Sequence, residues 1–225
     1  MVDTSESMND RVTVDGVEQT RLQVLQQSIR EMLGRYDDIG NVKVALAPFS
    51  DQLDSAPKQW MTVADALKAV DTLQVGGGTN YDYALSNAQH AWNGSGKLSG
   101  DVQNVSYFFS DGAPTLSSDN PSAGYYDRYG YFHGNPGTST ETALGDGISS
   151  SEESAWKAFL GKNGIDSLAL GIGGDVSQTY LNPVAYDGRT GDNTDAVIIR
   201  DLNALDDVVT GDGADAAAAG WPAER

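Results

Sequence analysis

The sequence predicts an α/β domain: a doubly wound, mainly parallel central sheet with helices on both faces. Apolar runs at residues 42–49, 102–109 and 165–172 read as fully buried strands. Stretches with apolar residues at helical spacing lie between them, the alternation that builds a parallel sheet. The length of 225 residues suits one such domain with a substantial core and is short for two.

The elements follow in order. After a loop at residues 3–7, residues 10–20 are polar, with a short hairpin expected around Asp15-Gly16. A helix over 21–36 places Leu22, Leu25, Ile29, Met32 and Leu33 on one face. Gly40-Asn41 marks a turn before the strand at 42–49, and Trp60-Met61 reads as a short edge strand. Thr62 opens a second helix, with Asp65 three residues on and Val63, Ala66, Leu67 and Val70 as its stripe. Gly76-Gly77-Gly78 interrupts the pattern, and a third helix follows over 80–92. The strand at 102–109 ends in Ser110-Asp111-Gly112. A helix over 151–160, capped by Ser150 and Glu153, precedes the strand at 165–172, a strand at 196–201 and a short helix at 202–209. The domain therefore spans 1–210, and the small-residue-rich 211–225 reads as a linker or C-terminal extension. Little chain precedes Asp3, so the first strand is expected to be completed in another way or to belong to a longer protein.

Composition narrows the partners. Lys and Arg number 14 against 32 Asp and Glu, a formal charge of −18 that repels nucleic acid and anionic membrane and draws in divalent cations. Hydrophobic residues at 39% and charged residues at 20% belong to a soluble globular chain, expected to be monomeric as an isolated domain. No apolar run approaches the roughly 20 residues a spanning helix needs, and residues 1–20 hold no signal-peptide core. With no cysteine, disulfides, thiolate metal sites and cysteine catalysis are excluded.

Three separated pieces carry chemistry: Asp3-Thr4-Ser5-Glu6-Ser7, Gly76-Gly77-Gly78-Thr79 and Ser110-Asp111-Gly112. In a doubly wound sheet, loops at the carboxyl ends of the strands converge on one edge. Asp3 and Asp111 end strands there, and Thr79 precedes a helix. The alternation of Asp3, Ser5 and Ser7 aims three oxygens inward while Thr4 and Glu6 point away. Asp3, Ser5, Ser7, Thr79 and Asp111 thus offer two carboxylates and three hydroxyls, hard ligands suited to Ca²⁺, Mg²⁺ or Mn²⁺. The glycines allow close backbone approach.

This pattern resembles the metal-ion-dependent adhesion site of von Willebrand factor type A domains over residues 1 to about 210. The resemblance implies that Ser5 and Ser7 bind the cation directly. It implies that Asp3, Thr79 and Asp111 bind directly or through water, Thr79 more closely once a ligand is bound. The cation then bridges the domain to a protein or glycan ligand. Glu6 departs from the family, which usually has glycine there, and bears on ligand class. The acidity, the absence of cysteine and the missing leader match such domains in large bacterial RTX-type surface adhesins, exported by type I secretion. That implies an extracellular or cell-surface location. The alternative is a cytoplasmic subunit docking to an ATPase of the chelatase or activase type.

Further candidates lie outside the motif. Residues 113–148 lack periodicity and exceed the roughly 12–15 residues of an ordinary loop. They hold Tyr125, Tyr126, Tyr129 and Tyr131, which either wall the metal site as a ligand-binding surface or pack the insertion onto the domain. Asp187, Asp192 and Asp195 form an acidic loop that is either a second Ca²⁺ site or a solvated turn. Catalysis is not expected. Ser5 stands where an aspartyl-nucleophile phosphatase needs an acid, no general-base histidine lies near the motif, and the glycines lack a phosphate-loop lysine.

Overall fold

A computed structural model of the chain describes residues 1–51, 59–116, 124–126, 132–134, 147–174 and 176–210. The strands are β1 (Val2–Asp3), β2 (Arg11–Val14), β3 (Val17–Thr20), β4 (Pro48–Phe49), β5 (Asn104–Ser110), β6 (Gly124–Tyr126), β7 (Phe132–Gly134), β8 (Ile165–Ile172), β9 (Tyr186–Asp187), β10 (Asp192–Asn193) and β11 (Val197–Ile199). The helices are α1 (Arg21–Ile39), α2 (Val63–Asp71), α3 (Tyr81–Trp92), α4 (Ser150–Asn163), α5 (Gln178–Leu181) and α6 (Leu205–Thr210). The main sheet runs β10-β9-β8-β5-β1-β4, with β11 also on β8. β4, β1, β5, β8 and β11 pair in parallel, and only the β9–β10 edge is antiparallel.

β8 explains the order at the edge. Its first residues pair with β9, through Asp166 and Ser167, and its last three pair with β11, so two short strands share one side of one long strand. All eight residues of β8 are buried, as expected for a strand covered on both faces. Alternate residues of the sheet enter different cores. Phe109, Leu170 and Ile172 meet Leu25 and Ile29 of α1, Ala66 and Val70 of α2 and Leu205 of α6. Phe49, Phe108 and Ala169 meet Tyr81 and Leu85 of α3, Trp156 and Leu160 of α4 and Leu181 of α5. The expected α1 stripe of Leu22, Leu25, Ile29, Met32 and Leu33 is buried throughout.

Local chemistry sets the ends. α1 begins at a capping box, in which Thr20 and Gln23 satisfy each other's backbone N–H groups. The hairpin β2–β3 turns at Asp15 and Gly16, both at positive φ, as a two-residue primed turn requires. Thr62 caps α2, Asn80 caps α3 and Gly164 ends α4 in the left-handed conformation.

Four expectations need correction. Residues 42–49 do not form one strand: β4 is only Pro48–Phe49, because its partner β1 has Val2 opposite Pro48 and no β1 residue reaches back to pair with 42–46. Trp60-Met61 yields a single antiparallel bridge, Met61 to Val44, rather than a strand. α4 is capped one residue earlier than expected, by Ser149 with Glu152. Consecutive serines and glutamates satisfy the capping pattern in two frames, and Glu153 pairs with Lys157 instead. The insertion at 113–148 holds an antiparallel pair, β6 with β7, where no regular structure was expected.

Candidate metal centre

The site stands where β1 and β5 end side by side. Parallel pairing of Val2 with Phe109 sets Asp3 and Ser110-Asp111 at the same sheet edge, as the doubly wound topology requires. Asp3 and Asp111 are both fully buried. Asp3 is fixed on both oxygens: Ser5 N–H donates to Oδ1 at 2.8 Å and Ser110 Oγ donates to Oδ2 at 2.6 Å. Tyr81 O–H reaches Ser110 Oγ at 3.1 Å and the Gly112 carbonyl at 2.8 Å, tying α3 to the end of β5.

The first loop doubles back through a 3₁₀ turn over Glu6–Asn9. Ser5 and Ser7 hydroxyls lie 3.1 Å apart, and Ser7 Oγ donates to Asp111 Oδ1 at 2.8 Å. Thr4 faces away: its N–H and hydroxyl both donate to the Phe49 carbonyl at 2.9 Å. The glycine loop is laced to the first loop by Gly76 N–H to Thr4 O at 2.8 Å and Glu6 N–H to Gly77 O at 2.9 Å. Gly77 has no substitute there. Its φ is +77°, and a Cβ would stand 2.4 Å from the Asp51 carboxyl. Thr79 is buried and bound through its backbone, to Thr115 Oγ1 at 2.9 Å and by its carbonyl to Thr115 and Leu116 N–H.

Four of the five expected ligands, Asp3, Ser5, Ser7 and Asp111, therefore fall in one polar nest. Thr79 follows the glycines laced to that loop, and among the described residues no hydrogen bond links its hydroxyl to the other four side chains. Among the described residues no three acidic or histidine side chains gather in one group, so the nest draws on hydroxyls for its remaining oxygens.

The electrostatics are those of negative charge short of compensation. Burial pushes the Asp3 carboxyl up to about 7, the Asp111 charge adds to the rise, and hydrogen bonds from Ser110 and Ser5 oppose it. Burial also raises Asp111, against the pull of Arg21 and Ser7. Two buried carboxylates with the Ser5 and Ser7 hydroxyls, and no nitrogen or sulfur ligand among them, suit a hard divalent cation in charge and in donor type.

Arg21 was not anticipated from the sequence. Its Nη1 donates to Asp111 Oδ2 at 2.8 Å, and the side chain is only 14% exposed. Asp111 thus turns one oxygen to Ser7 and the other to a guanidinium. A signal existed: a cation at the first position of a helix opposes the helix dipole and needs a separate reason.

The other candidates fall elsewhere. Tyr125 and Tyr126 are on β6, opposite His133 and Phe132, while Tyr129 and Tyr131 lie outside the described residues. Asp187 and Asp192 pair across β9–β10. Asp187 Oδ1 accepts from the Arg189 and Thr190 backbone N–H groups, its carboxylate also meets the Arg189 guanidinium, and Asp195 does not join them in an acidic group. His90 is exposed on α3.

The family model for the von Willebrand factor type A domain matches residues 1–113, a segment containing all five expected ligands. No curated protein matches the chain in sequence. Among solved structures, it is similar to the vWF domain of the type V pili tip protein Mfa5 from Porphyromonas gingivalis. That alignment has TM-score 0.56 and 14% identity and covers 100% of this chain and 95% of that one. It is also similar to the pilus adhesin SpaC from Lactobacillus rhamnosus GG, with TM-score 0.56, 15% identity and coverage of 92% and 28%. A third is proximal thread matrix protein 1 from the mussel byssus, with a zinc-occupied MIDAS motif, at TM-score 0.52, 16% identity and coverage of 93% and 43%. The chain thus spans less than half of the mussel and SpaC chains. At these identities the likeness is one of fold. With the family model covering half the chain, the chain belongs to the von Willebrand factor type A domain family.

Proposed function

We propose that this domain is a divalent-cation-dependent adhesion and recognition module, not an enzyme, that engages a protein or glycan ligand. The observation that carries this reading is the joining of Asp3, Ser5, Ser7 and Asp111, from two distant segments, into one buried nest with two raised carboxylates. The bound cation, Mg²⁺, Ca²⁺ or Mn²⁺, would supply a positive centre for an oxygen of the ligand. Asp3 and Asp111 would supply the charge that holds it, and Ser5, Ser7 and Thr79 neutral oxygens. With two carboxylates against a divalent charge, and Arg21 beside one of them, the centre keeps an appetite for a further anionic oxygen. Ser110 and Tyr81 act behind Asp3 by fixing its orientation.

A place at the bacterial surface, within a larger secreted adhesin of the RTX type, is supported by the acidity and the absence of cysteine. Similarity to Mfa5 and SpaC, a pili tip protein and a pilus adhesin, supports it too. Among the described residues no helix is long and apolar enough to cross a membrane.

Calorimetric titration of chelator-stripped protein with Mg²⁺, Ca²⁺ and Mn²⁺ tests the reading, with Zn²⁺ as a contrast for the oxygen-only donor set. Saturable one-site binding is expected, lost in Asp3→Ala and in Asp111→Ala. Wild-type protein that takes up no divalent cation, or mutants that bind as wild type does, would overturn it.

A further inference from the structure

Beyond the Asp111–Arg21 pair lies an open cleft of about 330 Å³, lined among others by Thr13, Arg21, Gly173, Gly174, Arg200 and Asp201. It lies between the β2–β3 hairpin, the turn after β8 and the end of β11. Gly173 N–H donates to the Ile199 carbonyl at 2.8 Å, which holds Arg200 next to that turn. Gly173, at φ +96°, runs alongside the Arg21 guanidinium: a Cβ built there would be 3.8 Å from its central carbon. One wall of the cleft is therefore the residue that also holds Asp111 Oδ2.

The charges in the cleft are out of keeping with the rest of the chain. With 32 acidic residues against 14 basic ones, an arginine ordinarily finds a carboxylate. Arg200 is exposed and has no hydrogen bond or ion pair among the described residues. The nearest acid in sequence, Asp201, is committed to its own turn, where its Oδ1 accepts from Asn203 N–H at 3.1 Å and from Asn203 Nδ2 at 2.5 Å. Asp10, 3.9 Å from Arg21, is mostly solvent-exposed. Arg21 is already paired with Asp111, so the uncommitted positive charge lining the cleft is that of Arg200, and an anion seated there would gain a charge-assisted contact with it.

We propose that this cleft is an anion subsite adjoining the metal cradle, in which Arg200 and Arg21 take a carboxylate of an acidic segment of a protein ligand. The Arg21 side chain lines the cleft and also holds Asp111, so one extended ligand would meet the cation with one carboxylate and the cleft with another. The subsite rests on the reading of the domain as a recognition module, and its own chemistry does not need the cation.

The probe is the blocked peptide acetyl-(Gly-Glu)₃-amide, followed by ¹H–¹⁵N NMR of the full chain, first in EDTA and then in Mg²⁺. Saturable shifts are expected at Gly173, Gly174 and the Arg200 side chain in both media, with none from the glutamine analogue. Arg200→Gln, an exposed position, should weaken the peptide roughly fivefold while Mg²⁺ affinity stays at the wild-type value. Equal binding of the glutamate and glutamine peptides, unchanged affinity in Arg200→Gln, or shifts at Arg200 from inorganic phosphate but not from the peptide would each overturn the proposal. If the wild type takes up no Mg²⁺ yet the shifts persist in EDTA, the metal reading falls and the subsite stands.

Discussion

At the scale of single residues, Asp3 shows what the site costs the fold. Its carboxyl is held up at about 7 from the ordinary 3.8, so the folded chain keeps a proton that the unfolded chain releases. The sign follows: this group favours the folded state below pH 3.8, and that advantage is lost as pH rises towards 7. In chelator, stability should therefore decline across that window, and Asp3→Asn should melt higher than wild type at pH 8, with the gap closing near pH 4. The amide can keep the Ser5 N–H bond through its oxygen and offer its nitrogen to Ser110 Oγ, so the shape survives while the charge goes. The same substitution should remove the rise in melting temperature that Mg²⁺ gives the wild type. An Asp3→Asn protein that melts below wild type in chelator at pH 8 would show that the buried charge is not the strain inferred here.

At the scale of elements, the start of α1 is coupled to the site. The Thr20–Gln23 capping box fixes the first turn, and Arg21, the first residue of that turn, reaches Asp111. Thr20→Ala should cost about 1 kcal/mol of stability. It should also loosen the Arg21–Asp111 contact, which NMR of the Arg21 side chain would report as faster exchange of its guanidinium protons. Gly77→Ala acts on the facing loop: at φ +77° with the Asp51 carboxyl in the way, it should cost on the order of 1–3 kcal/mol and shift the Thr79 backbone. Thermal melts with the spectra of Thr79 would check both effects. These elements also show what a sequence can reveal. That Asp3, Ser5, Ser7 and Asp111 would meet was legible because strand ends of a parallel sheet converge, so distant motifs come together without any knowledge of their contacts. The hairpin was legible in Asp15-Gly16, and α1 in its five-residue stripe. What periodicity could not show was pairing. Residues 42–46 are as apolar as a strand but lack a β1 neighbour, whereas the two-residue strands β9 and β10 are too short to carry a period. Arg21 escaped because its role depends on a partner 90 residues away.

At the scale of the whole molecule, two electrostatic effects must be separated, since any salt stabilises a chain of charge −18 by screening its self-repulsion. Raising NaCl from about 20 mM to about 500 mM shortens the screening length from roughly 20 Å to roughly 4 Å. That should raise the melting temperature of wild type and Asp3→Asn alike, because the charges responsible are spread over the surface. A cation held in the cradle acts differently. At fixed ionic strength and about a hundredfold above its dissociation constant, it should add about 2.7 kcal/mol, or roughly 5–11 °C for a domain of this size. The increment should appear in wild type and be absent in Asp3→Asn and Asp111→Ala. Differential scanning calorimetry with MgCl₂ against NaCl at matched ionic strength resolves the two. Equal increments in wild type and mutants would mean that the divalent ion only screens the acidic surface, and the buried nest of Asp3, Ser5, Ser7 and Asp111 would then be a structural knot.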